Sequence, residues 1–373
     1  MRILFVHTIG KNKFGGGERW LVNAAAGLRD RGHSVIVGGK PGSRLLEAAG
    51  GRGLATAGFN ILSDLSVYHI FKIARFIRKR QIDVVVSRDR DLSVTGPAAL
   101  IAGRVPVLVR YGSPLRSSFR KHAFLLRRFA SGVITNTLSI KEFMEMGEIV
   151  PRGFVRVVYN GLPAPADDSV YDFRGRFPGK MVIVTAGRLT VEKGYLYLVD
   201  AAAMLRRKFD NLVFIVLGEG KHRGRIERYA RGEGVDDIFH LEGFVKNIMP
   251  YLRGCDIFVL PSLYEGMPNA AMEAMACEKP VVLTDVNGAG ELLPDGDKGV
   301  LVPAHNPQAV ADAIERLAEN SRLRDSIGKV AAEFVRSNFR YDRMIDELEC
   351  CLNECLDKRP GDGGNDRLNG VAG

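Results

Sequence analysis

Short apolar runs rich in valine and isoleucine alternate with longer amphipathic stretches along most of this chain. Arg2–His7 reads as a buried first strand, followed by a glycine-rich loop and a helix from about Gly17 to Arg31. Val35-Ile36-Val37-Gly38 predicts a second strand, Tyr68–Arg80 a helix and Asp83–Ser87 a strand. Val107–Arg110, the helix Ser118–Ala130 and Val133-Ile134-Thr135 continue the alternation. Strands this apolar, separated by helices with one apolar stripe, predict a parallel sheet covered on both faces.

The pattern breaks between Gly161 and Gly179, where Pro163, Pro165 and Pro178 sit among glycines and acids, as in an interdomain linker. It then restarts. Met181–Ala186, Leu212–Leu217, Ile238–Leu241, Ile257–Leu260, Val281–Thr284 and Gly299–Val302 are expected strands. Helices are expected at Tyr195–Phe209, Arg223–Gly232, Ile248–Gly254, Asn269–Ala276, Pro307–Glu319, Ser321–Asn338 and 341–356. The expected organisation is a first domain over 1–165, a second over 166–340, a terminal helix over 341–356 and a disordered tail over 357–373. Ligands of such sheets bind beyond the carboxyl ends of the strands, so the loops there carry the candidate chemistry.

Length and composition agree with two soluble domains: 373 residues, 46% hydrophobic and 26% charged. No apolar run reaches the roughly 18–20 residues of a membrane span, and the N-terminus is too short in apolar residues for a signal peptide. A cytoplasmic location is expected. Of the five cysteines, Cys255 and Cys277 read as buried; Cys350, Cys351 and Cys355 share the last helix and are expected to be reduced. The net charge of +10 is uneven. Residues 1–165 hold 26 lysines and arginines against 10 acids, whereas the remainder holds 27 against 33. A basic first domain suits an anionic partner or surface. Arg116–Phe129 is basic and amphipathic and, with Lys72, Arg75, Arg78, Lys79 and Arg80, would suit anionic lipid headgroups or a phosphorylated acceptor. No aromatic platform or reading motif points to nucleic acid.

Two loops of the second domain hold the sharpest constellation. Gly187-Arg188-Leu189-Thr190-Val191-Glu192-Lys193-Gly194 leaves one strand, and Arg188 and Lys193 would hold a diphosphate and neutralise it as it leaves. The other loop, Pro261–Asn269, contains Glu265 and then Pro268, which suits the first turn of a helix. Amides around Gly266, Met267 and Asn269 would point outward from that helix start toward an anion or sugar hydroxyls. Glu273, one turn on, would accept hydrogen bonds from vicinal hydroxyls. Taken singly, each of these is as consistent with an ordinary structural residue. Gly15-Gly16-Gly17-Glu18 is a glycine-rich loop that either admits a ligand or merely turns. Gly218-Glu219-Gly220 reads as a tight turn, since Gly224 comes one residue late for a dinucleotide fingerprint. Asp89-Arg90-Asp91 spells a metal-binding triplet but lies in the basic first domain, and no zinc spacing or nucleophile elbow is present.

Pro261 to Ala276, with two glutamates flanking seven residues, resembles the signature of the retaining glycosyltransferases of family 4. Gly187-Arg188-Leu189 with Glu192-Lys193-Gly194 resembles that family's phosphate motif, and Tyr159-Asn160-Gly161 and Gly15-Gly16-Gly17-Glu18 are similar to two further segments. The resemblance implies the GT-B fold, two Rossmann-like domains facing each other across a cleft. It implies that Arg188 and Lys193 bind the donor diphosphate, that Glu265 and Pro268 with the amides of Gly266, Met267 and Asn269 hold the sugar, and that Glu273 takes the ribose. Phe244 would flank the nucleobase, Gly16 and Gly17 would approach the phosphates or the acceptor from the other domain, and Gly187, which allows a tight exit from its strand, would belong to the donor-binding set. Residues 341–356 would cross back to the first domain. Two first-domain positions depart from the pattern: where the family often has histidines, this chain reads Ser87-Arg88-Asp89 and Arg110-Tyr111-Gly112.

The expected activity is therefore transfer of a sugar from a nucleotide-sugar donor, with a UDP-sugar favoured, to a hydroxyl of a cell-envelope glycolipid or lipopolysaccharide-type glycan. The resemblance implies retention at the anomeric carbon, no metal and no cofactor. Domain closure would exclude water, and the basic first domain would touch the inner membrane surface. A non-hydrolysing epimerase would differ by turning over the donor alone. A non-catalytic sugar-nucleotide-binding module would bind without turnover.

Overall fold

A computed structural model of the chain describes residues 1–8, 10–11, 14–61, 66–112, 119–164 and 168–357. The expected C-terminal tail beyond Asp357, and the start of the basic stretch from Leu115 to Ser118, lie outside the described residues. The chain forms two compact units: Met1–Gly161 together with the segment from Tyr341 onward, and Leu162–Arg340.

The strands of the first unit are β1 (Arg2–Val6), β2 (Ser34–Gly39), β3 (Ala55–Gly58), β4 (Val84–Arg88), β5 (Val107–Tyr111), β6 (Gly132–Thr135) and β7 (Val155–Val157). They form one parallel sheet in the order β3-β2-β1-β4-β5-β6-β7. Alternate residues of β1 face two cores. Ile3 and Phe5 pack with helix Gly16–Asp30, helix Arg44–Gly51 and helix Tyr341–Asp357. Leu4 and Val6 pack with helices Val67–Arg80, Leu92–Ile101 and Phe119–Phe129. The period-2 alternation of a strand places these neighbours on opposite layers.

The second unit holds β8 (Met181–Ala186), β9 (Leu212–Leu217), β10 (Phe239–Gly243), β11 (Ile257–Leu260), β12 (Val281–Thr284) and β13 (Val300–Val302). They too are all parallel, ordered β10-β9-β8-β11-β12-β13. Both sheets thus count outward from their first strand in two directions, the doubly wound order of a Rossmann-like domain. In each, the order reverses beside the first strand: between β1 and β4, and between β8 and β11. Loops leaving those strands diverge, and the crevice they open is where ligands of such sheets bind.

Helix Tyr341–Asp357 belongs to the first unit although it is last in sequence. Met344, Ile345, Leu348, Cys351, Leu352 and Cys355 are buried in the core built by β1 and helix Gly16–Asp30. A side chain at Gly27 would sit 2.6 Å from Ile345, so the glycine allows the two helices to touch. Around that contact Tyr341 Oη donates to the Asn23 carbonyl at 2.6 Å, Arg31 pairs with Asp346 and Glu349, and Arg156 pairs with Glu354. Leu162 and Arg340 form a parallel bridge, so the two ends of the second unit lie side by side. Within the proline-rich stretch, residues 168–179 pack on the second unit. Phe173 is buried, Tyr171 stacks on Tyr251 with ring centroids 4.2 Å apart, and its amide donates to the Pro250 carbonyl.

Candidate functional site

In the second unit the loops after β8 and β11 are built against each other at the switch point. Gly194 adopts φ +65°, and a Cβ there would lie 1.9 Å from the Pro261 carbonyl oxygen. Only glycine fits both the left-handed backbone and the contact. The Leu263 amide donates to the Glu192 carbonyl at 2.8 Å, closing the same seam. The loop after β9 covers the other side. Side chains at Gly218 and Gly220 would strike Gly187 O at 1.9 Å and Leu189 O at 2.3 Å. The Gly-Glu-Gly triplet is thus a tight turn that holds the Gly187–Leu189 backbone in place, as its sequence suggested.

Glu265 stands at the centre of this frame. Its side chain is buried and ion-paired with Lys193, and Ser262 Oγ donates to the same carboxylate oxygen at 2.7 Å. Asn287 donates to the Glu265 carbonyl at 2.9 Å, and Thr284 from the end of β12 donates to Ser262 O. The Tyr195 hydroxyl, buried beneath Gly187, is pushed far above the usual phenol range by burial and by the Glu265 charge. Arg188 is exposed and makes no ion pair among the described residues. Lys193 and Glu265, expected to act on different parts of a ligand, therefore contact each other directly, while Arg188 lies five residues before Lys193 in the loop after β8.

Helix Asn269–Ala276 begins at Pro268 as its cap. Its start departs from expectation in one respect. The Asn269 amide donates to the Met267 carbonyl at 3.0 Å and is not directed outward. The chain folds back in a tight turn before the helix begins, because the proline fixes its own φ and the turn satisfies the next donor internally. Among the described residues, the Gly266 and Met267 amides have no intramolecular acceptor. Met267 is buried through its side chain, so its backbone is what it can offer. Glu273 lies one turn into the helix and is half-buried. Phe244 follows β10 and is 52% exposed.

The first unit has its own polar cluster at its switch point. Glu18, in the first turn of helix Gly16–Asp30, accepts from the Gly15 amide at 2.7 Å and meets His7 Nε2 at 2.9 Å. Burial alone would raise its pKa, but the His7 hydrogen bond and charge and the Gly15 amide bring it down to about 2. Asp91, the last residue of the Asp-Arg-Asp triplet, is buried and accepts from the Thr8 amide at 2.8 Å and from the Thr8 hydroxyl. It pins the loop after β1 to the loop after β4. Gly16 and Gly17 form the first turn behind Glu18. Arg110, at the end of β5, lies with its guanidinium 3.9 Å from the Trp20 ring centroid. Sequence reasoning missed the His7–Glu18 and Thr8–Asp91 pairs, because partners 11 and 83 residues apart leave no local signal.

Residues 180–320 match the family of group 1 glycosyl transferases, and residues 14–164 match glycosyltransferase family 4. The chain belongs to this class of GT-B glycosyltransferases. Over 90% of its length it is 25% identical to the lipopolysaccharide core biosynthesis glycosyltransferase LpsE of Rhizobium meliloti, covering 94% of that protein. It is 31% identical to the α-D-kanosaminyltransferase of Streptomyces kanamyceticus over 45% of this chain and 44% of the relative. Among solved structures it is similar to Anabaena HepE in complex with UDP-glucose, with a TM-score of 0.83, 23% identity, and 95% and 99% of the two chains covered. A glycosyltransferase from Rickettsia africae superposes with the same TM-score at 20% identity, over 95% of this chain and 98% of that one.

Proposed function

We propose that the protein transfers a sugar from a nucleotide-sugar donor, with a UDP-sugar favoured, to a hydroxyl of a cell-envelope glycan or glycolipid, retaining the anomeric configuration. The observation that carries this reading is the seam between the loops after β8 and β11. It holds the Lys193–Glu265 pair and, with no partner among the described residues, Arg188 and the Gly266 and Met267 amides, at one switch point. A diphosphate suits the cations, and a ring of sugar hydroxyls suits the buried carboxylate and the Gly266 and Met267 amides. HepE, which carries UDP-glucose in its structure, and a relative that transfers galactose from UDP-galactose to a diphosphoundecaprenol acceptor support the choice of donor and acceptor class.

In the proposed reaction the anomeric C–O bond to the phosphate breaks and its electron pair goes to the departing diphosphate. The acceptor oxygen forms the new bond on the same face and gives its proton to the departing phosphate oxygen. Arg188 neutralises the charge as it develops; Lys193 does so when the diphosphate draws it from Glu265. Glu273 and Phe244 are assigned to the ribose and the base. The assigned residues make these charges neutral without a metal or cofactor. Replacing Arg188 by Ala should lower kcat by about 10²–10³ while leaving the melting temperature within about 2 °C, since the side chain is exposed. Steady-state kinetics on a panel of UDP-, GDP-, ADP- and TDP-sugars with thermal unfolding is the test; unchanged kcat would remove the assignment.

An acceptor at a membrane fits the first unit. Tyr68 and Phe71 are 69% and 60% exposed on helix Val67–Arg80, among exposed Lys72, Arg75, Lys79 and Arg80. Phe124 is 64% exposed on helix Phe119–Phe129, which packs on the same core. Aromatic rings flanked by cations suit an anionic lipid interface. Among the described residues no helix is long and apolar enough to cross a membrane. Flotation at low salt should show binding to anionic but not neutral vesicles, and F71A with K72E should abolish it.

A further inference from the structure

Arginines stand in register near the carboxyl ends of β4 and β5: Arg88 and Arg110 are direct partners across the parallel pair. Adjacent strands lie about 4.8 Å apart, so two cations side by side repel unless something between them is negative. Asp89 reaches Arg88 only at 3.5 Å. Among the described residues no carboxylate lies within ion-pair distance of Arg110.

Its surroundings nevertheless hold Arg110 in one place. The guanidinium rests on the Trp20 ring, which is 4% exposed. A guanidinium packed by its face keeps its N–H edge available, and that edge matches the oxygens of phosphate. Glycines flank the guanidinium: a Cβ at Gly17 would lie 3.7 Å from Arg110 Nη1, in ordinary contact, and one at Gly112 would crowd it at 3.1 Å. Gly17 and its neighbour Gly16 bring amides that have no acceptor among the described residues. The Trp20 indole N–H is buried, again with no acceptor there. Glu18 is already held by His7 and Gly15 and does not neutralise the arginine directly. Burial lowers the pKa of Arg110 to about 10, partly offset by the Glu18 and Asp89 charges, and Arg88 lowers it further. A guanidinium held where the positive form is disfavoured, with its donors unused, is arranged for an anion that arrives with the substrate.

We propose that Arg110, stacked on Trp20 and seconded by Arg88, binds a phosphate group of the substrate at the carboxyl end of the first unit's sheet and selects for substrates that carry one. That the phosphate belongs to a substrate rests on the glycosyltransferase reading; that the site binds phosphate does not. The phosphate comes either from the acceptor or from the donor's diphosphate.

Trp20 is the single tryptophan of the chain, so its fluorescence reports on this site alone. The whole protein is titrated with inorganic phosphate at constant ionic strength, with chloride as control. A saturable change is expected in the wild type, with an apparent affinity weakened at least tenfold in Arg110→Gln and partly restored in Arg110→Lys. Phosphate should also raise the melting temperature of the wild type and of Trp20→Phe but not of Arg110→Gln, which keeps the assay informative if the fluorescence change is small. Should Arg110→Gln fail to fold, Arg110→Lys and the thermal shift of the wild type decide. Calorimetry with UDP then separates the sources. An unchanged affinity in the Arg110 variant assigns the phosphate to the acceptor, and a tenfold loss assigns it to the donor. No phosphate response in the wild type by either readout, or an equal response in a folded Arg110 variant, overturns the proposal. Neither readout needs turnover, so a failed activity assay leaves this result intact.

Discussion

The Lys193–Glu265 pair most alters what a substitution at the proposed donor site would mean. Both side chains are largely covered and each is the other's counter-charge. Removing Lys193 alone would leave a buried carboxylate with one hydroxyl donor, at a cost of about 3 kcal/mol. Lys193→Ala should therefore lower stability as well as activity, and Lys193→Ala with Glu265→Gln should recover most of the stability and none of the activity. Chemical denaturation of the four members of this cycle measures the difference. Arg188, exposed and unpaired, has no such ambiguity. The sequence placed Arg188, Lys193 and Glu265 in loops that leave strands, as the structure does, because strand-exit spacing is local. It gave no sign that two of them would neutralise each other, because that contact spans 72 residues. Glu18 makes a second prediction at this scale. Its pKa is depressed to about 2 from an ordinary 4.5. It therefore contributes stability above pH 4.5, roughly 3 kcal/mol, which is lost as the pH falls from 4.5 toward 2. Glu18→Gln should flatten the acid limb of the first unit's unfolding profile over that window.

Among elements, the loops are held by glycines more than by side chains. Gly194→Ala would combine a left-handed φ with a contact of 1.9 Å to Pro261 O, and Gly218→Ala would strike Gly187 O at the same distance. Each should destabilise by about 2–5 kcal/mol, read as a lower melting temperature, whereas Gly232→Ala, in open space at the end of helix Arg223–Gly232, should be nearly neutral. Strands with apolar β-branched runs and helices with a stripe were legible in the sequence. Helix Leu92–Ile101 was not. It carries Pro97, and buries Val94, Thr95, Gly96, Ala98 and Ala99 around much of its circumference, so no 3.6-residue period emerges. The edge strand β3, Ala-Thr-Ala-Gly, is mostly exposed and has no apolar run to betray it.

The whole molecule is a pair of unequal constructions. The second unit is one continuous stretch, Leu162–Arg340, whereas the first needs helix Tyr341–Asp357 to cover one face of its sheet. A fragment holding Leu162–Arg340 should unfold cooperatively on its own, while a chain ending at Arg340 should lose the transition of the first unit and expose the apolar surface around Ala24, Leu28 and Leu108. Calorimetry of the two fragments checks this. During synthesis the order of completion is thereby inverted. The segment that emerges first from the ribosome finishes last, since its closing helix is translated only after the entire second unit. Through that interval a nascent chain presents a half-covered sheet to its surroundings. A chain cut short before Tyr341 would carry a finished second unit beside an unfinished first one, so a single late helix decides whether the earliest residues have a place to pack.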